Sequence, residues 1–190
     1  KDVASGRDLC YAKLIPSRGA WLEFETSTKN VISVKVDRKR KVSVVTFFIA
    51  LGMGSEDDVI PLLSDVDTDP AHPYLRSTME KDPLPHGGES SMKDDDLKRL
   101  WQWLRPSEEF DRSKAHRIAS AQMEFYRRLR PGEPPSLENA RNLIYNLFFD
   151  PRRYDLGRVG RYKINSRLGG DDDLTKGVFT IKDIIAVVRT

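Results

Sequence analysis

The chain has 190 residues, enough for one domain with a substantial core, and its 38% hydrophobic and 32% charged residues are typical of a soluble globular protein. The single cysteine, Cys10, excludes an internal disulfide and a cysteine-rich zinc site, and no apolar run is long enough to span a membrane. The net charge of +3 is too small to indicate a nucleic-acid-binding protein by itself, so the placement of the basic residues has to decide.

The start of the given sequence suggests a fragment. Its first residue is Lys1, and no apolar run follows a basic start, so neither an initiator methionine nor a secretory signal is visible. We therefore expect a piece of a longer polypeptide. A single unpaired cysteine fits a reducing cytoplasm.

The first quarter of the sequence has the pattern of a small β meander. Residues 9–36 alternate apolar and polar side chains, with turn residues near 16–19 and 27–30. We assign residues 1–46 to this meander.

The register of the second and third strands follows from their apolar faces. Directly opposed residues of an antiparallel pair point the same way, so Phe24 should face Val34. Trp21 then lies beside Asp37 on the polar face. The same register pairs Leu22 with Val36 and Glu23 with Lys35.

The next stretch is less regular. Residues 42–53 form an apolar run that suits either a buried strand or a helix. Ser55 and Asp58 form a capping-box pattern that predicts a helix start, although Pro61 fits only within a first turn. Residues 65–91 contain four prolines and few large apolar side chains, which predicts an irregular loop or insertion.

Residues 92–190 are predicted to be mainly helical. Apolar residues at helical spacing indicate helices over 94–104, 113–129 and 159–168. Ser136 and Thr180 suit the N-caps of two more helices that run to about Phe148 and Val188. The fold class is therefore α+β, with a small antiparallel β meander near the N-terminus followed by a mostly helical part, in a single domain.

Trp21 is the residue that most directly indicates a function. A large aromatic on the polar face of a strand can be a stacking platform for an unpaired base, although packing under a loop or against another domain is the alternative. A basic cluster falls at the same end of the hairpin and suits contacts with phosphates, or alternatively with solvent or another part of a larger protein. Its members are Arg18, Arg38, Lys39, Arg40 and Lys41.

A second basic block lies between residues 152 and 163. Arginines interleaved with tyrosines can bind nucleic acid. Arginines in such compact turns also bridge carbonyls and carboxylates within a domain, and we favour that structural role here. The block contains Arg152, Arg153, Tyr154, Arg158, Arg161 and Tyr162.

Several enzyme classes lack their motifs. Asp65, Asp67 and Asp69 match the start of a calcium-binding EF-hand loop, but Pro70 stands where that loop needs glycine and Arg76 where it needs glutamate. His72, His86 and His116 have no ligand spacing, and no phosphate-binding loop or nucleophile–base pair is recognisable. An independent small enzyme therefore has no motif to support it.

Two ordered blocks of the sequence are highly specific. Residues 127–163 read RRLRPGEPPSLENARNLIYNLFFDPRRYDLGRVGRYK, and residues 15–41 contain IPSRGAWLEFET and VKVDRKRK. In this order they resemble the lobe of the β subunit of bacterial DNA-directed RNA polymerase. The resemblance covers roughly residues 11–46 and 123–168, with a looser match through the last dozen residues.

This resemblance implies a fragment that holds DNA within a nucleotidyltransferase. The lobe of that family lines the downstream DNA cleft, and its GAWLEF-like tryptophan stacks on a nontemplate-strand base, a role that Trp21 would take with Asp37 beside it. DNA contacts would then come from Trp21, Asp37, Arg18, Arg38, Arg40 and Lys41. The resemblance implies no cofactor here, because the partner β′ subunit binds the catalytic magnesium. The other implied partners are the α and ω subunits, σ factor and transcription regulators, and the alternative function is a docking module for the last two.

Overall fold

The chain folds into one four-stranded antiparallel sheet followed by helices. A computed structural model describes residues 6, 8–85 and 92–190. The strands are β1 (Tyr11–Leu14), β2 (Leu22–Thr26), β3 (Ile32–Val36) and β4 (Val42–Ser43), and they lie in sequence order within the sheet. Phe24 faces Val34 and Leu22 faces Val36, so the predicted register is confirmed.

The helical part begins directly after β4, and the α+β fold class is confirmed. The helices are α1 (Val44–Phe48), a π-helix (Ile49–Met53), α2 (Glu56–Leu63), α3 (Tyr74–Lys81), α4 (Asp94–Leu104), α5 (Arg112–Leu129), α6 (Leu137–Phe148), α7 (Gly157–Leu168) and α8 (Ile181–Arg189). Helix α4 has the predicted bounds, whereas α5 and α7 begin one and two residues earlier than predicted.

The core joins the sheet to the helices through phenylalanine rings. Phe47 on α1 lies 6.2 Å from Phe24 on β2 and 5.8 Å from both Phe125 on α5 and Phe148 on α6, between ring centroids. All four side chains are buried. Aromatic pairs at these distances add to the free energy gained by removing apolar surface from water.

The ambiguous apolar run divides between a strand and a helix. It supplies the two residues of β4, then α1, then the π-helix, in which Gly52 has a φ of 102°. Side chains from two later helical segments bind the carbonyls of this stretch. Gln122 Nε2 donates to Ala50 O at 3.0 Å, and Arg105 Nε donates to Gly52 O at 2.9 Å.

The prediction of an irregular segment over residues 65–91 is wrong for its middle part. Helix α3 forms there because Asp67 accepts hydrogen bonds from the backbone N–H groups of Tyr74 (3.0 Å) and Leu75 (2.8 Å), which satisfies two donors of the first turn. Leu75 is buried in the core. Residues 86–91, including the predicted loop position of His86, lie outside the described residues.

Helix α2 confirms one expectation and corrects another. Ser55 and Asp58 form the predicted capping box. Pro61, expected only in a first turn, is instead the sixth residue of the helix. A proline at that position has no N–H to donate to the carbonyl four residues earlier, so the helix has one hydrogen bond fewer.

Candidate nucleic-acid interface at the end of the hairpin

Trp21 lies immediately before β2 and is held by Asp37, immediately after β3. The Asp37 N–H donates to Trp21 O at 3.0 Å, and the Trp21 N–H donates to Asp37 Oδ1 at 2.8 Å. The Trp21 side chain is half-buried. The predicted neighbourhood of the two residues is confirmed, and the Asp37 carboxylate fixes the backbone that carries the indole.

The chain turns sharply after β3. Asp37 and Arg38 have φ angles of 49° and 59°, in the left-handed region, and the Lys39 N–H donates to Val36 O at 2.9 Å. Two left-handed central residues define a primed turn, which suits the twist of antiparallel strands.

Arg38 contacts the Trp21 ring. Its guanidinium carbon lies over the indole, 5.2 Å from the ring centroid, which is within the range of a cation–π interaction. Asp37 and Arg38 are both exposed. A half-buried aromatic surface therefore stands beside a carboxylate and a guanidinium at one edge of the molecule.

Arg18 lies in the loop before Trp21 and fixes that loop to the second basic block. The Arg18 N–H donates to Asp155 O at 3.0 Å, and the Asp155 N–H donates to Arg18 O at 2.8 Å. The Arg18 guanidinium also donates to Pro151 O at 3.2 Å. Arg18 is exposed and lies three residues before Trp21 in the sequence.

The side chains of the other members of the basic cluster have different surroundings. Lys39 Nζ donates to Leu129 O at 3.4 Å, whereas Arg40 is exposed and forms no ion pair within residues 8–85 and 92–190. Lys41 forms an ion pair with Glu25, which also binds Lys35 at 2.9 Å on the polar face of the sheet. Burial raises the pKa of Glu25, but the hydrogen bonds from Lys41 and Lys35 outweigh it and hold the pKa below its ordinary value.

The second basic block is mainly structural, as predicted. Arg161 is fully buried and donates to Asp183 at 2.9 Å, to Asp172 at 3.3 Å and to the carbonyls of Lys176 and Val178. The block's first two arginines both contact the Asp150 carboxylate. Asp172 lies in an acidic run that reads in the sequence as a solvated connection, so its contact with Arg161 was not predicted.

Of the other members of the block, Tyr154 is fully buried, whereas Arg158 and Tyr162 face outward. Arg158 is exposed, and Tyr162 has an exposed fraction of 60%. Among the described residues, no group of three or more histidines, cysteines, aspartates and glutamates is placed to hold a metal ion. The helices of the described part also include none that is long and apolar enough to cross a membrane.

The geometry at the hairpin end suits a ligand that has a flat aromatic group and a neighbouring phosphate. An unpaired base can stack on the indole, and the Asp37 carboxylate can accept an N–H from such a base. The exposed arginines nearby complement phosphate oxygens.

The sequence matches the family described as RNA polymerase Rpb2, domain 2, over residues 4–190. A DNA-directed RNA polymerase subunit beta of Dehalococcoides mccartyi is 42% identical over 99% of this chain and 13% of its own length. Proteins of the same name from Chloroflexus aggregans and Staphylococcus aureus are 39% and 41% identical, over 100% and 86% of this chain and 15% and 11% of their own lengths. The chain thus spans about one eighth of the length of the relatives it matches.

Proposed function

Because this chain belongs to the RNA polymerase Rpb2 domain 2 family, we propose that it forms the lobe of the β subunit of a bacterial DNA-directed RNA polymerase. There it lines the downstream DNA cleft and helps to hold the melted nontemplate strand. RNA synthesis is the activity of the assembled enzyme, whose β′ subunit binds the magnesium. The proposed partners are DNA, the β′, α and ω subunits, σ factor and transcription regulators, and the proposed compartment is the cytoplasm.

The observation that carries this proposal is the placement of Trp21. Its indole stands at the end of the hairpin, its backbone is held by two hydrogen bonds with Asp37, and a guanidinium lies over the ring. A side chain fixed before its ligand arrives loses little conformational entropy on binding. This arrangement supports a stacking platform better than it supports a packing contact under a loop.

Trp21→Ala in the complete polymerase tests the proposal. Open complexes should be weakened by about 1 to 3 kcal/mol when a base occupies the nontemplate position that stacks on Trp21. The loss should vary with the identity of that base and should vanish at an abasic site. The dissociation rate of open complexes on a set of matched templates measures both effects.

Trp103→Ala is the matched control, because Trp103 is another surface tryptophan, 41% exposed, on α4. It should leave the base dependence unchanged. An equal loss from Trp21→Ala for every base, or no loss at all, would contradict stacking.

A docking module for σ factor or regulators is the second candidate function. It is supported by a groove of about 720 Å³ between β1 and α7, with Leu14, Ile164 and Val187 among its lining residues. Lys163 and Arg167 line the groove and, among the described residues, no aspartate or glutamate does, so the groove suits an apolar segment with acidic side chains. Under this function Trp21→Ala leaves DNA retention intact, whereas Lys163→Glu with Arg167→Glu in the groove abolishes capture of the protein partner.

A further inference from the structure

The turn after β3 adopts a conformation that its residues do not favour. Both central residues of a type I′ β-turn need positive φ, which is why asparagine and glycine are common there. Here the positions are occupied by Asp37 and Arg38, with φ of 49° and 59°. Arginine has no short side-chain acceptor to stabilise the left-handed conformation locally, so the surroundings must compensate.

Besides the hydrogen bond from Lys39 to Val36 that closes the turn, Asp37 and Arg38 each contact Trp21. Asp37 exchanges two hydrogen bonds with it, through the Asp37 N–H at 3.0 Å and Oδ1 at 2.8 Å. The Arg38 guanidinium lies 5.2 Å from the centre of its ring. Arg38 forms no salt bridge with any carboxylate in the described part of the chain, so the indole is the partner that the structure gives to its charge.

Arg38 occupies one face of the Trp21 indole. A cation above an aromatic ring is attracted by the negative face of the ring and restricts its rotation. From this geometry we propose that Arg38 is a positioning residue, which backs the indole so that a single unpaired base stacks on the opposite face. The inference rests on the proposed function and assigns Arg38 to the platform rather than to a phosphate.

The two roles of Arg38 differ in what they require. A positioning residue needs both Trp21 and a base on the free face, whereas a phosphate contact needs neither. Removal of the base alone, by an abasic site that keeps the phosphate, therefore separates the roles. Removal of the indole by Trp21→Ala separates them a second time.

The experiment uses the assembled polymerase with Arg38→Asn, because asparagine tolerates the left-handed conformation and so preserves the turn. Open-complex lifetimes are measured on templates with each base or an abasic site at the nontemplate positions of the downstream bubble edge, with and without Trp21→Ala. Arg40→Asn is the control. It removes the same charge two residues later, from an exposed side chain for which no contact with Trp21 is present.

We expect Arg38→Asn to shorten the lifetime about two- to five-fold on the template with a stacking base. The effect should disappear at the abasic site and in the Trp21→Ala background, whereas Arg40→Asn should act alike on all templates. Equal losses with and without the base, joined by a weaker salt dependence, would show a phosphate contact and overturn the inference. No loss on any template would also overturn it, and base-independent behaviour of Trp21→Ala would overturn the proposed function as well.

Discussion

Gly19 fixes how closely the loop before Trp21 approaches the second basic block. Its φ is 123°, in the region that favours glycine. A Cβ atom at this position would lie 2.6 Å from Cδ2 of the Tyr154 ring and 3.2 Å from the carbonyl oxygen of Arg153. The Tyr154 side chain is fully buried, and this burial raises the pKa of its phenol well above the ordinary range. The ring therefore has little room to move.

Gly19→Ala should lower the free energy of unfolding by about 2 to 4 kcal/mol, because it adds a steric overlap to the backbone strain. Gly132→Ala is the matched control. Gly132 also has positive φ, 93°, but a Cβ there meets nothing within 4 Å, so the expected loss is only about 1 kcal/mol. Urea unfolding of the two variants measures the difference. Equal losses of unfolding free energy would mean that the Tyr154 ring moves aside without an energetic penalty.

At the scale of single side chains, the sequence was sufficient for Trp21 and Asp37 but not for their neighbours. Strand alternation and one apolar pairing put those two residues together, because the side-chain period of a strand is fixed. The Lys41 side chain reaches Glu25, and the Arg38 side chain lies over the indole. Both placements depend on side-chain rotamers and on a turn with positive φ. No local pattern in the sequence encodes either.

Helix α2 is joined to α5 through the residue that caps it. Asp58 accepts from the Ser55 N–H at 2.8 Å and pairs with Lys114 on α5 at 2.7 Å. Burial raises the pKa of Asp58, but the hydrogen bonds from Lys114 and Ser55 outweigh it and leave the pKa below its ordinary value. The charged carboxylate thus stabilises the fold.

Asp58→Asn should cost about 1 kcal/mol of unfolding free energy at pH 7. Because the folded-state pKa is lowered, this stabilisation is complete above the unfolded value near 4 and is lost as the pH falls through the folded-state pKa. The difference from the parent should therefore shrink below about pH 4. Denaturant unfolding across pH measures it, with exposed Asp57→Asn as control. A difference that is constant with pH would contradict the assignment.

The start of a helix was predictable where the capping residue directly precedes the helix in sequence, and was not predictable where the capping residue lies further away. Thr180 caps α8 with Asp183 in the same turn, and Ser136 caps α6, so both starts are visible locally. The first turn of helix α3 is capped by Asp67, seven residues before Tyr74. Pro70 and Pro73 lie between the two residues and indicate a loop. The π-helix is buried on every side, which removes the periodicity that would distinguish it from a strand.

Helices α7 and α8 and the connection between them are held together around one buried arginine. Arg161 on α7 contacts Asp183 on α8 and binds Asp172 and two carbonyls in the connection between these helices. A buried ion pair gives little net stabilisation relative to an apolar pair, but the loss of one partner leaves an uncompensated charge. The sequence favoured a structural arginine in this block, whereas the choice of Arg161 required the packing of α7 against α8.

Arg161→Met should therefore lower the free energy of unfolding by about 3 to 5 kcal/mol. Arg161→Met combined with Asp183→Asn should recover part of this loss, because asparagine removes the stranded charge and can still accept at the N-cap region of α8. Arg158→Met on the exposed side of the same helix should change stability by less than about 0.5 kcal/mol. Thermal unfolding of the three variants measures these differences, and a small loss for Arg161→Met alone would show that water replaces the guanidinium.

The backbone bridge between Arg18 and Asp155 also sets an order of events during synthesis on the ribosome. The strands that flank Trp21 are local in sequence, but the loop before it pairs with Asp155, more than 130 residues later. At typical elongation rates of about 5 to 20 residues per second, that partner emerges roughly 7 to 30 seconds after Trp21. Until Tyr154 and Asp155 emerge, the loop around Gly19 has neither the ring that packs against it nor its backbone partner. Trp21 therefore acquires its final surroundings late, although the strands that flank it can pair early.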